Sequence, residues 1–188
     1  MTSETKRQSY RPGEPGNATV EKSGDQFTLV FVRELRHPPD KVWRALTEPA
    51  ELRAWAPFDA DRDLGSTGTA ILSMAGGDEP VTSKCRVSRA DRPKLLEYTW
   101  DDDVLRWELV ATSTGTRLTL RHTLKDETWL PKVTAGWHIC LDVAERALDG
   151  DPIGRIVAKE ALGFGWERLN DGYARRFGVA NTGVPEGL

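Results

Sequence analysis

Of the three histidines in this 188-residue chain, His122 stands where an imidazole has most chemistry open to it. Around it Leu118, Leu120, His122 and Leu124 alternate with Arg117, Thr119 and Arg121. That period-two pattern is the signature of a strand with one covered face, and it places His122 on the covered side. An imidazole there is either a cavity group that orients a ligand or acts as acid or base, or a core histidine bonded to a backbone carbonyl or a water. Both readings fit the spacing. His138 follows Trp137 by one residue, about 100° round a helix, which groups it with Thr134 and Glu145 at the edge of a polar face. A surface or sheet-edge hydrogen bond is expected for it. Without a Glu-x-x-His or His-x-x-x-His spacing, no metal site is expected.

Tyr98, Trp100 and Trp107 fall on one sheet face across the turn at 101–103, as an aromatic wall for a flat ligand or as core packing. Asp101, Asp102 and Asp103 read as a solvated hairpin turn rather than a metal loop. Asp59, Asp61 and Asp63 alternate but lack the glycine and the closing glutamate of a calcium loop. There is no G-x-S-x-G, P-loop or G-x-G-x-x-G, and Ser73, Ser83 and Ser113 have no context marking a nucleophile, so no cofactor is expected and no catalytic residue is assigned. Cys85 and Cys140 make neither a disulfide framework nor a metal spacing, and are expected as buried thiols in a reducing cytoplasm.

These groups need a scaffold, and the pattern supplies one. Residues 27–36 are β-branched and aromatic and predict a strand. His37-Pro38-Pro39-Asp40 ends it, and proline suits the first turn of the helix that follows. That helix carries Val42, Ala45 and Leu46 on one face and Trp43 on its flank; Thr47 is expected to cap a second short helix ending at Trp55. Strands are then expected over 69–75, 81–89, 94–100, 104–111 and 116–124, with Gly76-Gly77-Asp78 and Ser113-Thr114-Gly115 among the turns. From 131 to 148 the period becomes helical, with Val133, Trp137, Cys140, Ala144, Ala147 and Leu148 as the apolar stripe and Thr134, His138, Asp142 and Glu145 opposite. A last helix is expected over 155–177, weakened by Gly163, Gly165 and Gly172.

Residues 1–25 and 179–188 are rich in Pro, Gly, Ser and charge and are expected as flexible polar tails flanking one domain at 26–178. The net charge of -3, spread in both signs, excludes the basic face of a nucleic-acid binder. No apolar stretch reaches membrane-span length and no secretory h-region opens the chain. Seven tryptophans imply a large aromatic core or an aromatic-lined pocket.

The segments VWRALTEPAELRAW, TRLTLRHTL and GWHICLD, in this order with strands between, resemble the family of homologues of the activator of heat-shock protein 90 ATPase. That family belongs to the START-like, helix-grip superfamily, also called SRPBCC. The resemblance covers roughly residues 27–177 and implies an α+β fold: a curved antiparallel sheet wrapped around a long C-terminal helix, with two short helices after the first strand and one further helix at the end. It also implies a hydrophobic cavity between sheet and long helix, lined from Trp55, Phe58, Met74, Tyr98, Trp100, Trp107, Leu120, His122, Trp137 and Leu141, with Trp55 at its mouth and Trp43 structural. The expected function is therefore to bind a small apolar or aromatic molecule. A cavity enzyme of cyclase, aromatase or hydrolase type is the alternative, and a chaperone-activating module a third. The eukaryotic activator carries a large N-terminal chaperone-binding domain where this sequence has about two dozen tail-like residues before its first strand, which weighs against chaperone contact.

Overall fold

The computed structural model describes residues 2–77 and 81–185. After a short helix α1 (Ser3–Ser9) come β1 (Ala18–Ser23), β2 (Gln26–Leu35), α2 (Pro39–Thr47) and α3 (Pro49–Leu52). Then follow β3 (Phe58–Ala60), β4 (Gly68–Met74), β5 (Thr82–Asp91), β6 (Leu95–Trp100), β7 (Asp103–Thr112) and β8 (Gly115–Leu124). The long helix α4 (Leu130–Leu148) and α5 (Trp166–Phe177) complete the chain. The eight strands form one antiparallel sheet in the order β1-β2-β8-β7-β6-β5-β4-β3. Pairing β2 with β8 brings the first predicted strand against the last and curls the sheet about α4. A register shift between Val87 and Arg89 adds the local bend that bulges impose.

The alternation read from sequence sets the two faces. Leu29, Phe31, Leu105, Trp107, Leu118, Leu120 and His122 are buried against the helices, while Arg106, Arg117 and Arg121 form ion pairs on the outer face. The hairpin of α2 and α3 packs beneath the sheet. Trp55 is buried, donates Nε1–H to the Ala45 carbonyl at 3.0 Å, and meets Trp107 edge-on at 6.1 Å. It is a core residue, not the mouth residue expected. Thr47 does not cap α3: its hydroxyl donates back to the Trp43 carbonyl, and Glu48 occupies the cap position. Gly115 permits the β7–β8 turn to sit on the end of β2. A Cβ there would stand 2.0 Å from the Leu35 carbonyl oxygen, at a φ of +152° that disfavours any side chain.

Residues 2–25, expected as a flexible tail, make specific contacts with the rest of the chain. Arg7 donates to the carbonyls of Ile153, Gly154 and Arg155 and pairs with Glu160, Lys6 pairs with Asp151, and Arg168 holds the Pro12 and Gly13 carbonyls and Glu14. β1 adds an edge strand through six residue pairs with β2. Polar residues that look like solvated chain are satisfied by distant carbonyls and carboxylates. At the other end, Asn181 bonds Asn170 and Asp171; residues 186–188 of the second expected tail, and Asp78 of the expected turn, lie outside the described residues.

The expected last helix is divided. A 3-10 segment (Ala158–Phe164) ends at Gly165, whose left-handed φ of +89° breaks the chain direction before α5. α5 then covers the side of α4 that sequence periodicity assigned to solvent. Thr134 and His138 are buried there. Gly16 N–H donates to the Tyr173 hydroxyl at 2.9 Å, and that hydroxyl donates its single proton to His138 Nδ1 at 2.8 Å. His138 therefore carries its proton on Nε2, 3.6 Å from Asp142, which in turn accepts from Tyr10 and Arg33. Burial, opposed by the Asp142 charge, lowers the His138 pKa from 6.5 to about 4. This network, not solvent, meets the polar stripe of α4.

Candidate functional site

α4 presents Val133, Gly136, Trp137 and Cys140 at i, i+3, i+4 and i+7, one continuous stripe. Facing it are Ile156, Val157, Ala161 and Leu162 from the irregular stretch before α5, together with Trp166. Trp100, at the end of β6, and Trp129, at the foot of α4, close the ends. This half-open cavity has a volume of about 160 Å³. An apolar cavity of about 150 Å³ accepts benzene, so this one has room for a single aromatic ring. Lys132 is the one charged residue in the lining among the described residues, and its ammonium rests 4.8 Å from the centre of the half-exposed Trp129 ring. Cys140 offers no nucleophile at neutral pH, because burial pushes its thiol up to about 12.

A second, more open chamber of about 580 Å³ adjoins the first and shares Trp100, Trp129 and Val133 with it. The rest of its lining is Leu124 together with the polar residues Asp101, Asp102, Asp103, His122, Lys125 and Asp126. Asp101 takes a left-handed φ of +51° in the β6–β7 turn, a conformation aspartate tolerates. The turn is tighter than expected, so Asp103 opens β7, paired with Trp100. His122 pairs with Leu105 across the β7–β8 ladder, which makes Asp103 its diagonal neighbour on the same face.

Three side chains there form a chain of hydrogen bonds. Trp137 Nε1–H donates to His122 Nδ1 at 3.0 Å, and His122 Nε2 lies 2.8 Å from Asp103 Oδ2. An indole N–H can only donate, so Nδ1 is the acceptor and the imidazole proton sits on Nε2, pointing at the carboxylate. The imidazole stacks on Trp100 at 6.1 Å and 29°. His122 is thus held on both nitrogens and on one face. Its side chain is 1% exposed and that of Asp103 33%, so the relay runs from a buried tryptophan to a carboxylate open to the outer chamber. The Trp100 indole nitrogen is shielded from solvent and has no hydrogen-bond partner among the described residues.

The ten lining residues implied by the family resemblance separate into groups. Trp100 and Trp137 line the inner cavity, and Trp100 and His122 the outer chamber. Trp55, Phe58, Tyr98, Trp107 and Leu120 are buried between sheet and α4. Rings pack edge-on there: Trp107 on Trp137 at 5.4 Å, Phe58 on Trp100 at 5.5 Å and on Tyr98 at 6.3 Å. Trp107 Nε1–H also donates to the Tyr98 hydroxyl at 3.1 Å. Trp55 and Leu141 touch a residual void of about 10 Å³, the size of one water at most. Met74 packs against the core, half-buried, opposite Phe58. Sequence reasoning missed Asp103, Trp129, Gly136 and the 156–162 wall. Gly136 carried a signal, since a glycine inside an apolar helix stripe marks space or close approach. The wall carried none, as its position depends on the N-terminal segment that anchors it.

A curled antiparallel sheet gripping one long C-terminal helix, with a cleft at the helix foot, defines a helix-grip protein of the START-like class. The model of the family described as "Activator of Hsp90 ATPase homolog 1-like protein" matches residues 36–149. The chain belongs to that family. Among solved structures it is similar to a conserved protein of unknown function from Enterococcus faecalis, at 19% identity and a TM-score of 0.67, covering 93% of this chain and 96% of that one. It is also similar to CalU16 from Micromonospora echinospora, at 21% identity, TM-score 0.60, with 84% and 94% covered. An AHSA1-like protein from Aeromonas hydrophila matches at 18% identity, TM-score 0.57, with 65% and 92% covered. At these identities the likeness is one of fold. No curated protein matches the chain. Among the described residues no helix is long and apolar enough to cross a membrane.

Proposed function

We propose that this chain is a small-molecule-binding protein, located in the cytoplasm, that holds an apolar ligand of about one aromatic ring in the cavity between α4 and the 156–166 segment. One observation carries the reading: a space of about 160 Å³ walled by Trp100, Trp129, Trp137 and Trp166 and by aliphatic side chains. Close packing is the rule in protein interiors, and an apolar space of this size forfeits dispersion contacts that a ligand would restore. The aromatic cluster between sheet and helix is solid, so ligand volume is found at the flank of α4 instead. Acid or base work by His122 would break one of its two hydrogen bonds, and the Cys140 thiol is un-ionised near neutral pH. Both facts favour binding over catalysis. The free, buried thiols of Cys85 and Cys140 suit a reducing compartment.

Toluene is the direct probe. At tenfold excess over its dissociation constant it stabilises the fold by about 1.4 kcal/mol, a melting-temperature rise of a few degrees. It also shifts the amide resonances of residues 133–140 and 156–166. A titration to the solubility limit that moves neither the melting temperature nor those resonances refutes the reading.

A further inference from the structure

We infer that Asp103 is the polar recognition residue of this cavity, and that the ligand is a one-ring apolar molecule carrying a hydrogen-bond donor, a hydroxyl or an ammonium. This rests on the cavity reading above and adds the ligand's chemistry to it. Trp100, Trp129 and Val133 belong to both chambers, so a ring held among them presents its substituent to the outer one. There Asp103 stands as an oriented acceptor. One carboxylate oxygen is taken by His122 Nε2–H at 2.8 Å, and His122 is locked by Trp137, itself a wall of the inner cavity. The second carboxylate oxygen has no hydrogen-bond partner among the described residues, and the side chain is one-third exposed to the chamber. A turn aspartate needs no such support to terminate a hairpin. The chain of Trp137, His122 and Asp103 positions a carboxylate at the point where apolar space meets polar space. A donor on the ligand meets that oxygen, whereas a ligand carboxylate there meets four aspartates, Asp101, Asp102, Asp103 and Asp126, against the single cation Lys125.

The test compares toluene, benzyl alcohol, benzylamine and benzoate on the full chain by amide chemical-shift titration, for the wild type, Asp103→Asn and the control Asp102→Asn. In Asp103→Asn the introduced amide carbonyl still accepts from His122 while the free position becomes a donor, so the fold is expected to survive, and a circular-dichroism melt checks that. In the wild type at least one of benzyl alcohol and benzylamine binds about tenfold tighter than toluene, the size of one hydrogen bond to a charged acceptor, and benzoate binds weaker than toluene. In Asp103→Asn the preference falls to within about twofold, and in Asp102→Asn it stays. The alcohol and amine arms tell which donor is recognised. If toluene binds but neither donor gains over it, or the gain survives Asp103→Asn, the assignment of Asp103 is wrong while the cavity stands. If toluene itself does not bind, the cavity reading fails and this inference with it.

Discussion

Gly136 is the position at which stability and binding separate most cleanly. It lies in the interior of α4, has no left-handed φ, and lines the cavity. A Cβ built on it meets no atom within 4 Å. A helix-interior glycine costs about 0.5–1 kcal/mol relative to alanine, because the unfolded chain loses more freedom. Nothing in the packing of α4 requires its absence of side chain, so Gly136→Ala is expected to stabilise the fold by about 1 kcal/mol. For a chain of this length that is a rise of about 2–4 °C in melting temperature. Gly136→Leu projects its longer side chain into the 160 Å³ space that we assign to the ligand. It is expected to weaken toluene binding by about tenfold or more, or ~1.4 kcal/mol, while the melting temperature stays at or above the wild-type value. Differential scanning calorimetry and the amide titration read the two effects separately. A Gly136→Ala variant that melts lower, or a folded Gly136→Leu variant that binds toluene as the wild type does, refutes the placement of the ligand against α4.

Two further expectations concern the other side of α4. His138 titrates near 6.5 when unfolded and near 4 when folded, held neutral by burial, so between those values the unfolded chain binds more protons. Stability therefore falls as pH drops from about 6.5 to about 4, by up to roughly 3 kcal/mol, with no contribution from this group above 6.5; urea midpoints across that range check it, and a His138→Gln variant whose slope is unchanged would sink the assignment. Tyr173→Phe removes the acceptor of Gly16 N–H and the donor to His138 together. It should cost about 1–3 kcal/mol and raise amide exchange in residues 3–18 more than in β6–β8, and uniform exchange would show that the N-terminal segment is held by other contacts.

Much of the sheet was legible because its face assignment has a period of two and its turns are rich in Asp, Gly and Pro. Leu118, Leu120, His122 and Leu124 could not all be buried in any other conformation. The strands β4 to β8 and the helices α2 and α4 lie within a few residues of where the pattern put them. Three parts were not legible. β1 and α1 have the composition of a tail; α1 is held by partners more than a hundred residues away, such as Ile153 and Glu160, and β1 by its pairing with β2. The polar stripe of α4 looked like a solvated face because helical periodicity records polarity, not what packs on it. Asp103 was read as turn because a run of three aspartates carries no mark of which one faces inward; the register with Trp100 decides that.

By itself, the sequence determined the architecture and the aromatic character of the interior. Strand and helix periods, and proline at the start of α2, are local properties, and local properties survive in a one-dimensional string. The tertiary structure alone decided where there is room. Of the tryptophans predicted to line a cavity between sheet and helix, Trp55 and Trp107 interlock edge-on in the core, while Trp100 and Trp137 line the space that remains at the flank of α4, behind a wall held by the N-terminal segment. It also decided what His122 does: the Trp137 indole fixes its tautomer and turns its proton toward Asp103. Volume and proton placement are properties of groups brought together from distant parts of the chain, so neither is written in any one stretch of it.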